Sequence, residues 1–398
     1  MLESLKRTAQ GRLQELRLPA QAKQLRRHDR RGVPSSDPGS DLVEPLLLDW
    51  LRAAQDYSSS RDGGAARDFS LINGWASSYP ETSGYIVPTL IEAGRRLGDE
   101  DLLRRARKML DWLVEIQFPD GGFQGGTIGA SPVVPVTFNT GQILMGLAAG
   151  SREWGAPYDE RMHRAAGWLV ETIDDDGCWR RFPTPFAAFG EKVYETHVSW
   201  GLIEAARAST DSHAASLYAA TARRNCLWAM THQRSNGWFA KCCLEQPEAP
   251  LTHTIGYAMR GLIEVYDYTR DASLLAAAQL AGRAIAGQVR SDGFLAGRLA
   301  SDWSPAAAWT CLTGSAQIGH ALLLLYAETK EENLRDAGRR LLGYVRRTVP
   351  LEGPVGIRGG VRGSYPIDGE YGTYEFLNWA AKFLLDACRY ERTLLGAV

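Results

Sequence analysis

"DGGF", residues 120–123, is a turn signal followed by an aromatic, and it recurs along the chain. Asp176-Gly177-Cys178-Trp179, Asn236-Gly237-Trp238 and Asp292-Gly293-Phe294 repeat it, and a degenerate copy lies near Gly353. The marker glycines 121, 177, 237, 293 and 353 are spaced by 56, 60, 56 and 60 residues. Self-similarity at a fixed period is the mark of a repeat architecture.

A second series lies between the markers. "YPETSGYIVPTL" (79–90), "FNTGQILMGL" (138–147), "YETHVSWGLIEA" (194–205), "LTHTIGYAMRGLIEV" (251–265), "CLTGSAQIGHALLLLY" (311–326) and "YGTYEFLNWAAKFLL" (371–385) each open a helix. Thr, Ser or Asn stands near each start, as helix caps require, and apolar and small residues follow. A more charged amphipathic helix comes next, as in "DEDLLRRARKMLDWLVEIQ" (99–117). The unit is a helical hairpin of 55–61 residues, present six times. One hairpin cannot bury its apolar face alone, whereas six closing on themselves can. The expected fold is therefore all-α, an (α/α)6 toroid over 42–398 with an inner ring of small-residue helices inside a charged outer ring. An open helical solenoid is the alternative.

The hairpin period, the Asp-Gly-Gly-Phe turns and the two helix characters resemble the six-hairpin toroids of carbohydrate-active enzymes. That family includes hydrolases, polysaccharide lyases and sugar epimerases. The resemblance covers about 42–390 and is architectural, so it implies a fold and a substrate class rather than a reaction. "SAQIGHALLLLY" (315–326) is similar to a helix opening in the helical domain of glucuronyl C5-epimerases, and Tyr365-Pro366 to an aromatic-proline pair there.

In such a toroid the inner helices enter from one face, and their first turns ring a funnel. This groups Glu81 and Tyr85, Asn139 and Gln142, Glu195 and His197, His253 and Tyr257, Ser315 and Gln317, and Tyr374, Glu375 and Asn378. Thr140, Thr196, Thr252 and Thr313 are accounted for as caps. The remaining carboxylates, imidazoles and amides would need partners if buried, and an open funnel supplies ligand or water instead. The loops "INGWASSYPE" (72–81), "GRLASDWSP" (297–305) and "GIRGGVRGSYPIDGEYG" (356–372) should overhang the same face. Trp75, Tyr79, Trp303 and Tyr365 offer flat faces to sugar rings. Arg298, Arg358 and Arg362 offer forks for carboxylate or phosphate, which points to an anionic, uronate-containing glycan.

Glycoside hydrolysis needs two carboxyl groups across the bond, to be drawn from Glu81, Glu195, Asp302, Asp368 and Glu375. Uronate elimination or C5 epimerisation instead needs a base and an acid beside an acidic C–H. His197, His253, Tyr371 and Tyr374 would serve there, with Arg358 or Arg362 as clamp. Hydrolysis leads, with lyase or epimerase chemistry next. A non-catalytic toroid that binds glycan or a protein partner is the alternative of another class.

Other readings fit less well. "IDDDGCW" (173–179) only superficially resembles the Asp-rich motif of a terpene cyclase. Cys242 and Cys243 are adjacent, so they cannot easily both join His253 on one zinc ion. No cofactor and no metal are expected. The six cysteines have no CxxC spacing and no disulfide framework, which suits a reducing compartment. Residues 1–30 lack the apolar core of a signal peptide, and no apolar run is long enough to span a membrane. The expected location is cytoplasmic. A net charge of −1 offers no broad field for nucleic acid. Residues 1–41 are set apart as a basic stretch and linker, a solvated tail or a dock for a protein partner.

Overall fold

The computed structural model describes residues 18–396. Helix α1 (Ala20–Asp29) precedes twelve helices that alternate between two concentric rings. The outer ring holds α2 (Ser40–Asp56), α4 (Glu100–Ile116), α6 (Tyr158–Thr172), α8 (Ser212–Met230), α10 (Ala272–Ala286) and α12 (Glu332–Thr348). The inner ring holds α3 (Pro80–Leu97), α5 (Thr137–Trp154), α7 (Thr196–Ala208), α9 (Thr252–Thr269), α11 (Leu312–Thr329) and α13 (Asn378–Gly396). Each inner helix packs on the next, and α13 packs back on α3 and α2. The ring is closed, and the fold is an (α/α)6 toroid. No described helix is long and apolar enough to cross a membrane.

The two helix characters follow from two environments. In α4 the buried residues Leu102, Leu103, Ala106, Met109, Leu110 and Leu113 fall on one stripe, and charge covers the rest. Its start is capped by Asp99, whose side chain accepts from the Asp101 and Leu102 amides, and Asp211 does the same for α8. Inner helices are buried nearly all round, so their small residues sit where backbones cross. A Cβ on Gly146 would lie 2.3 Å from the Gly84 carbonyl oxygen, and one on Gly201 2.2 Å from that of Gly141. No larger residue fits at these crossings.

The turn series is an Asx turn that docks each unit onto the next outer helix. Asp120, Asp176, Asn236 and Asp292 each accept the backbone N–H two residues on. A further copy, Asp62-Gly63-Gly64, does the same without the aromatic that marked the others, and it heads the series 58 residues before Gly121. At the closing end, Gly353 has nothing nearer than 3.7 Å to a built Cβ. The glycine that meets the next outer helix there is Gly359, at φ +76°, where a Cβ would stand 2.1 Å from the Leu46 carbonyl oxygen. Gly359→Ala should therefore cost more than the ~1–2 kcal/mol of left-handed strain alone. Gly74→Ala, at φ +77° in open space, should show that strain only. Urea midpoints of the two variants measure the difference.

The last unit departs from the expected pattern. Helix α13 begins at Asn378, later than the expected opening at 371–376, and among the described residues its outer partner is α2. The residues before it form β5 (Glu375–Leu377), antiparallel to β1 (Asp68–Ser70), which also pairs with β2 (Gly74–Trp75). Strands β3 (Thr310–Cys311) and β4 (Ser364–Tyr365) pair beside it. The closure thus runs through backbone ladders.

Helix α1 lies over this seam. Asp29 is buried, accepts from the Ile367 amide at 3.0 Å and pairs with Arg362 at 3.2 Å. The Tyr365 hydroxyl donates to the Gly32 carbonyl, and Asp37 pairs with Arg346 at 2.6 Å. Residues of the described part of the basic stretch thus contact this seam, and residues 1–17 lie outside the described residues.

Candidate active site

The first turns of the inner helices open into a cavity of about 460 Å³. Glu81, at the second position of α3, is its only lining carboxyl among the described residues. The Tyr79 hydroxyl donates to Glu81 Oε2 at 2.6 Å and Asn139 Nδ2 donates to the same oxygen at 3.1 Å. With Oε2 accepting twice, Oε1 is the oxygen left to carry a proton. A helix N-terminus favours a carboxylate. Burial outweighs this and the Tyr79 and Arg67 contributions, pushing the Glu81 carboxyl up to about 7.

Arg67 is the cation of the cavity wall. It stands just before β1, pairs with Asp68 at 2.5 Å and Glu375 at 3.3 Å, and lies 5.4 Å from the centroid of the Trp379 ring. The Tyr371 hydroxyl accepts from Trp379 Nε1 at 3.0 Å, and both side chains line the cavity. His253 Nδ1 is 2.9 Å from Gln317 Oε1, so Nδ1 donates and Nε2 keeps its lone pair. Burial lowers its pKa to about 4, which leaves the ring neutral at physiological pH. Phe138, Tyr194, Tyr85 and Tyr257 line the aromatic part of the wall, with Phe186 and Leu244 beside them.

The floor is an aromatic plug. His197 and His253 flank the Tyr257 ring at 4.3 and 4.4 Å between centroids. Phe383 packs on Tyr85, Tyr257 and His197 at 5.4, 6.0 and 6.3 Å. His197 Nδ1 is held by Gln142 Oε1 at 2.6 Å, and burial keeps this ring neutral too.

Of the residues singled out from sequence, Tyr79, Glu81, Tyr85, Asn139, His253, Tyr257 and Tyr371 meet in the cavity wall. Gln142, His197, Gln317 and Glu375 stand behind it, each holding a residue of the wall or floor. Asn378 is buried and spans the Ala66 carbonyl and Thr82. The others lie elsewhere, each for a physical reason. Glu195 belongs to a 3-10 turn (Val193–Glu195) and lines a separate cavity of about 250 Å³ under residues 183–192, where burial pushes it up to about 8. Tyr374 sits at φ +61°, facing Arg26 and Asp368 beneath α1. Trp75 packs on Trp50, Tyr57 and Phe69. Trp303 donates to the Asn236 carbonyl in a neighbouring turn, and Asp302 caps Ser304 in solvent. Arg298 is spent on the Ala249 carbonyl, Arg362 on Asp29 and Thr348, and Tyr365 on Gly32. Arg358 is exposed outside the cavity. The loop 356–372 thus closes the ring and contributes Tyr371 alone to the cavity wall.

Arg67 and Trp379 escaped the sequence reading. Trp379 carries the signal of any aromatic in an inner first turn, once α13 is known to begin at Asn378. Arg67 has only its place before a three-residue strand. Among the described residues no group of three or more His, Cys, Asp or Glu side chains is arranged to hold a metal ion. Cys242 and Cys243 are both buried, and Cys242 donates to the Thr254 carbonyl.

No family model and no curated protein matches the chain. Solved structures do. An unsaturated glucuronyl hydrolase specific for heparin superposes with a TM-score of 0.70 at 16% identity, over 90% of this chain and 99% of that one. D-mannose isomerase gives 0.70 at 12% identity, over 92% and 100%. Cellobiose 2-epimerase from Bacillus thermoamylovorans gives 0.69 at 13%, over 88% and 97%. The fold is thus shared, over nearly its whole length, with toroids whose names span hydrolysis, isomerisation and epimerisation of sugars.

Proposed function

We propose that this protein is a carbohydrate-active enzyme that takes the end of an anionic, uronate-containing oligosaccharide and cleaves it by protonation from Glu81. The observation that carries this reading is a single cavity-lining carboxyl that keeps its proton near neutral pH. Paired-carboxylate glycoside hydrolysis needs a second carboxyl across the bond, and the cavity wall offers none among the described residues. One acid suffices for an enol ether such as a 4,5-unsaturated uronide. Glu81 delivers its proton to C4, and positive charge develops on C5 and the ring oxygen. Water adds to C5 and returns a proton to the ionised Glu81. The hemiketal opens to a C5 ketone, and the hemiacetal left at C1 then collapses to an aldehyde and releases the next sugar as an alcohol. Arg67 faces the uronate carboxylate, Tyr371 and Trp379 support the ring, and neutral His253 accepts from water or a hydroxyl at Nε2. Similarity to a toroid described as an unsaturated glucuronyl hydrolase supports the same substrate class.

The test offers the protein an unsaturated uronyl disaccharide and its carboxyl-reduced, neutral counterpart. Loss of the C4 vinyl proton by NMR, with release of the next sugar, is expected for the charged substrate alone. Equal turnover of both would remove Arg67 as the reader of charge, and turnover of neither would remove the hydration. The Glu81–His253 pairing of a protonated acid with a neutral base also favours a second reading, proton exchange at a sugar carbon. Solvent deuterium entering a saturated uronide at C5 without cleavage would identify it.

A further inference from the structure

We propose that the axis of the toroid carries a second ligand site, for a tetrahedral oxyanion such as phosphate, on the far side of the aromatic plug from Glu81. It does not depend on the catalytic reading. A cavity of about 140 Å³ lies there, several times the space one water needs. All six inner helices line it: Thr89 from α3, Met145 from α5, Glu204 from α7, Arg260 from α9, His320 from α11, and Lys382 with Arg389 from α13. It is therefore centred on the ring.

The charges there are unevenly satisfied. Asp386 accepts from Thr89 at 2.8 Å on one oxygen and pairs with Lys382 at 2.8 Å on the other. Glu204 is engaged by Arg207 at 2.6 Å, Arg152 at 3.0 Å and Trp200 at 3.2 Å. Both carboxylates lining the cavity are thus filled, while donors are left over. Lys382 is 2% exposed and has three N–H groups for one carboxylate. Arg260 spends Nε on Glu264 at 2.7 Å and Nη1 on His320 Nδ1 at 3.1 Å, leaving Nη2. Because His320 accepts at Nδ1, its neutral ring carries its proton on Nε2, as a further donor. Arg389 meets Glu92 through Nη1 at 2.6 Å and reaches the rim with its remaining N–H groups. These donors line the cavity with N–H groups beyond those their protein partners take, and an oxyanion accepting from Lys, two Arg and a His would engage them together.

Thermal unfolding of the full chain is measured against inorganic phosphate and, at equal ionic strength, against chloride. A saturable rise in Tm with phosphate alone is expected, because a ligand bound only to the folded state stabilises it. Lys382→Met should abolish the rise, and Arg389→Gln should weaken phosphate binding by tenfold or more in calorimetric titration. Arg389 is 30% exposed, so its variant remains informative if Lys382→Met does not fold. No phosphate-specific rise, or a rise undiminished in the variants, as from binding at Arg67, would overturn the site.

Discussion

Replacing Glu81 by glutamine is expected to lower kcat/KM by ~10²–10⁴-fold, the usual worth of a positioned general acid, while leaving substrate affinity nearly unchanged. The amide of that variant would keep a carbonyl oxygen for Tyr79 and Asn139 but would have no acidic proton to give. The wild-type profile should carry the same signature. Activity that needs protonated Glu81 falls as pH rises through about 7, the value to which burial pushes this carboxyl. Stability moves with it. Between the ordinary value of 4.5 and about 7, the folded chain holds a proton that the unfolded chain has released. The stabilisation is therefore full below pH 4.5 and is lost as pH rises to 7. The whole shift amounts to about 3 kcal/mol. Glu81→Gln should consequently be the more stable protein at about pH 8 and not at about pH 4. A variant that lost activity but kept the wild-type pH dependence of unfolding would place the titration on another group.

The second large effect is structural. Arg362→Met should destabilise the protein by about 3–5 kcal/mol, because it strands Asp29 as an unpaired buried charge. Asp29 is 1% exposed, and only the Ile367 amide and Arg362 compensate it strongly. Asp29→Leu combined with Arg362→Met should recover much of the loss, since replacing both partners by apolar groups removes the desolvation penalty as well. Equilibrium unfolding in urea separates the two outcomes. Equal losses in the single and double variants would show that α1 is held by its other contacts.

Periodicity made the ring legible in the sequence, because each Asx turn meets the same outer-helix backbone and each inner crossing needs a small residue. Periodicity also gave the depth of a side chain along the axis, since residues near a helix start must lie near one face. It could not give azimuth. Glu195 and His197 are two residues apart, yet the 3-10 turn rotates one into a side cavity and leaves the other against the axis. The same difficulty governs the last unit, where the repeat predicts first-turn helical positions for Tyr374 and Glu375 that belong instead to a loop and to β5. Arginines were the least readable. Arg298, Arg358 and Arg362 share composition and loop context with Arg67, but which of them reaches the cavity is decided by strand pairing between segments about 300 residues apart.

The aromatic plug of Tyr85, Tyr257, His197 and Phe383 bears on how a long glycan could be handled. A bore stoppered at mid-depth is a dead end, so a polymer cannot thread through it. On the proposed reading a chain terminus enters towards Glu81, and the shortened chain would back out by the way it came before the next unit could enter. An enzyme working in that way would trim from the tip, one unit per encounter, and its rate on a given mass of polymer would scale with the number of ends.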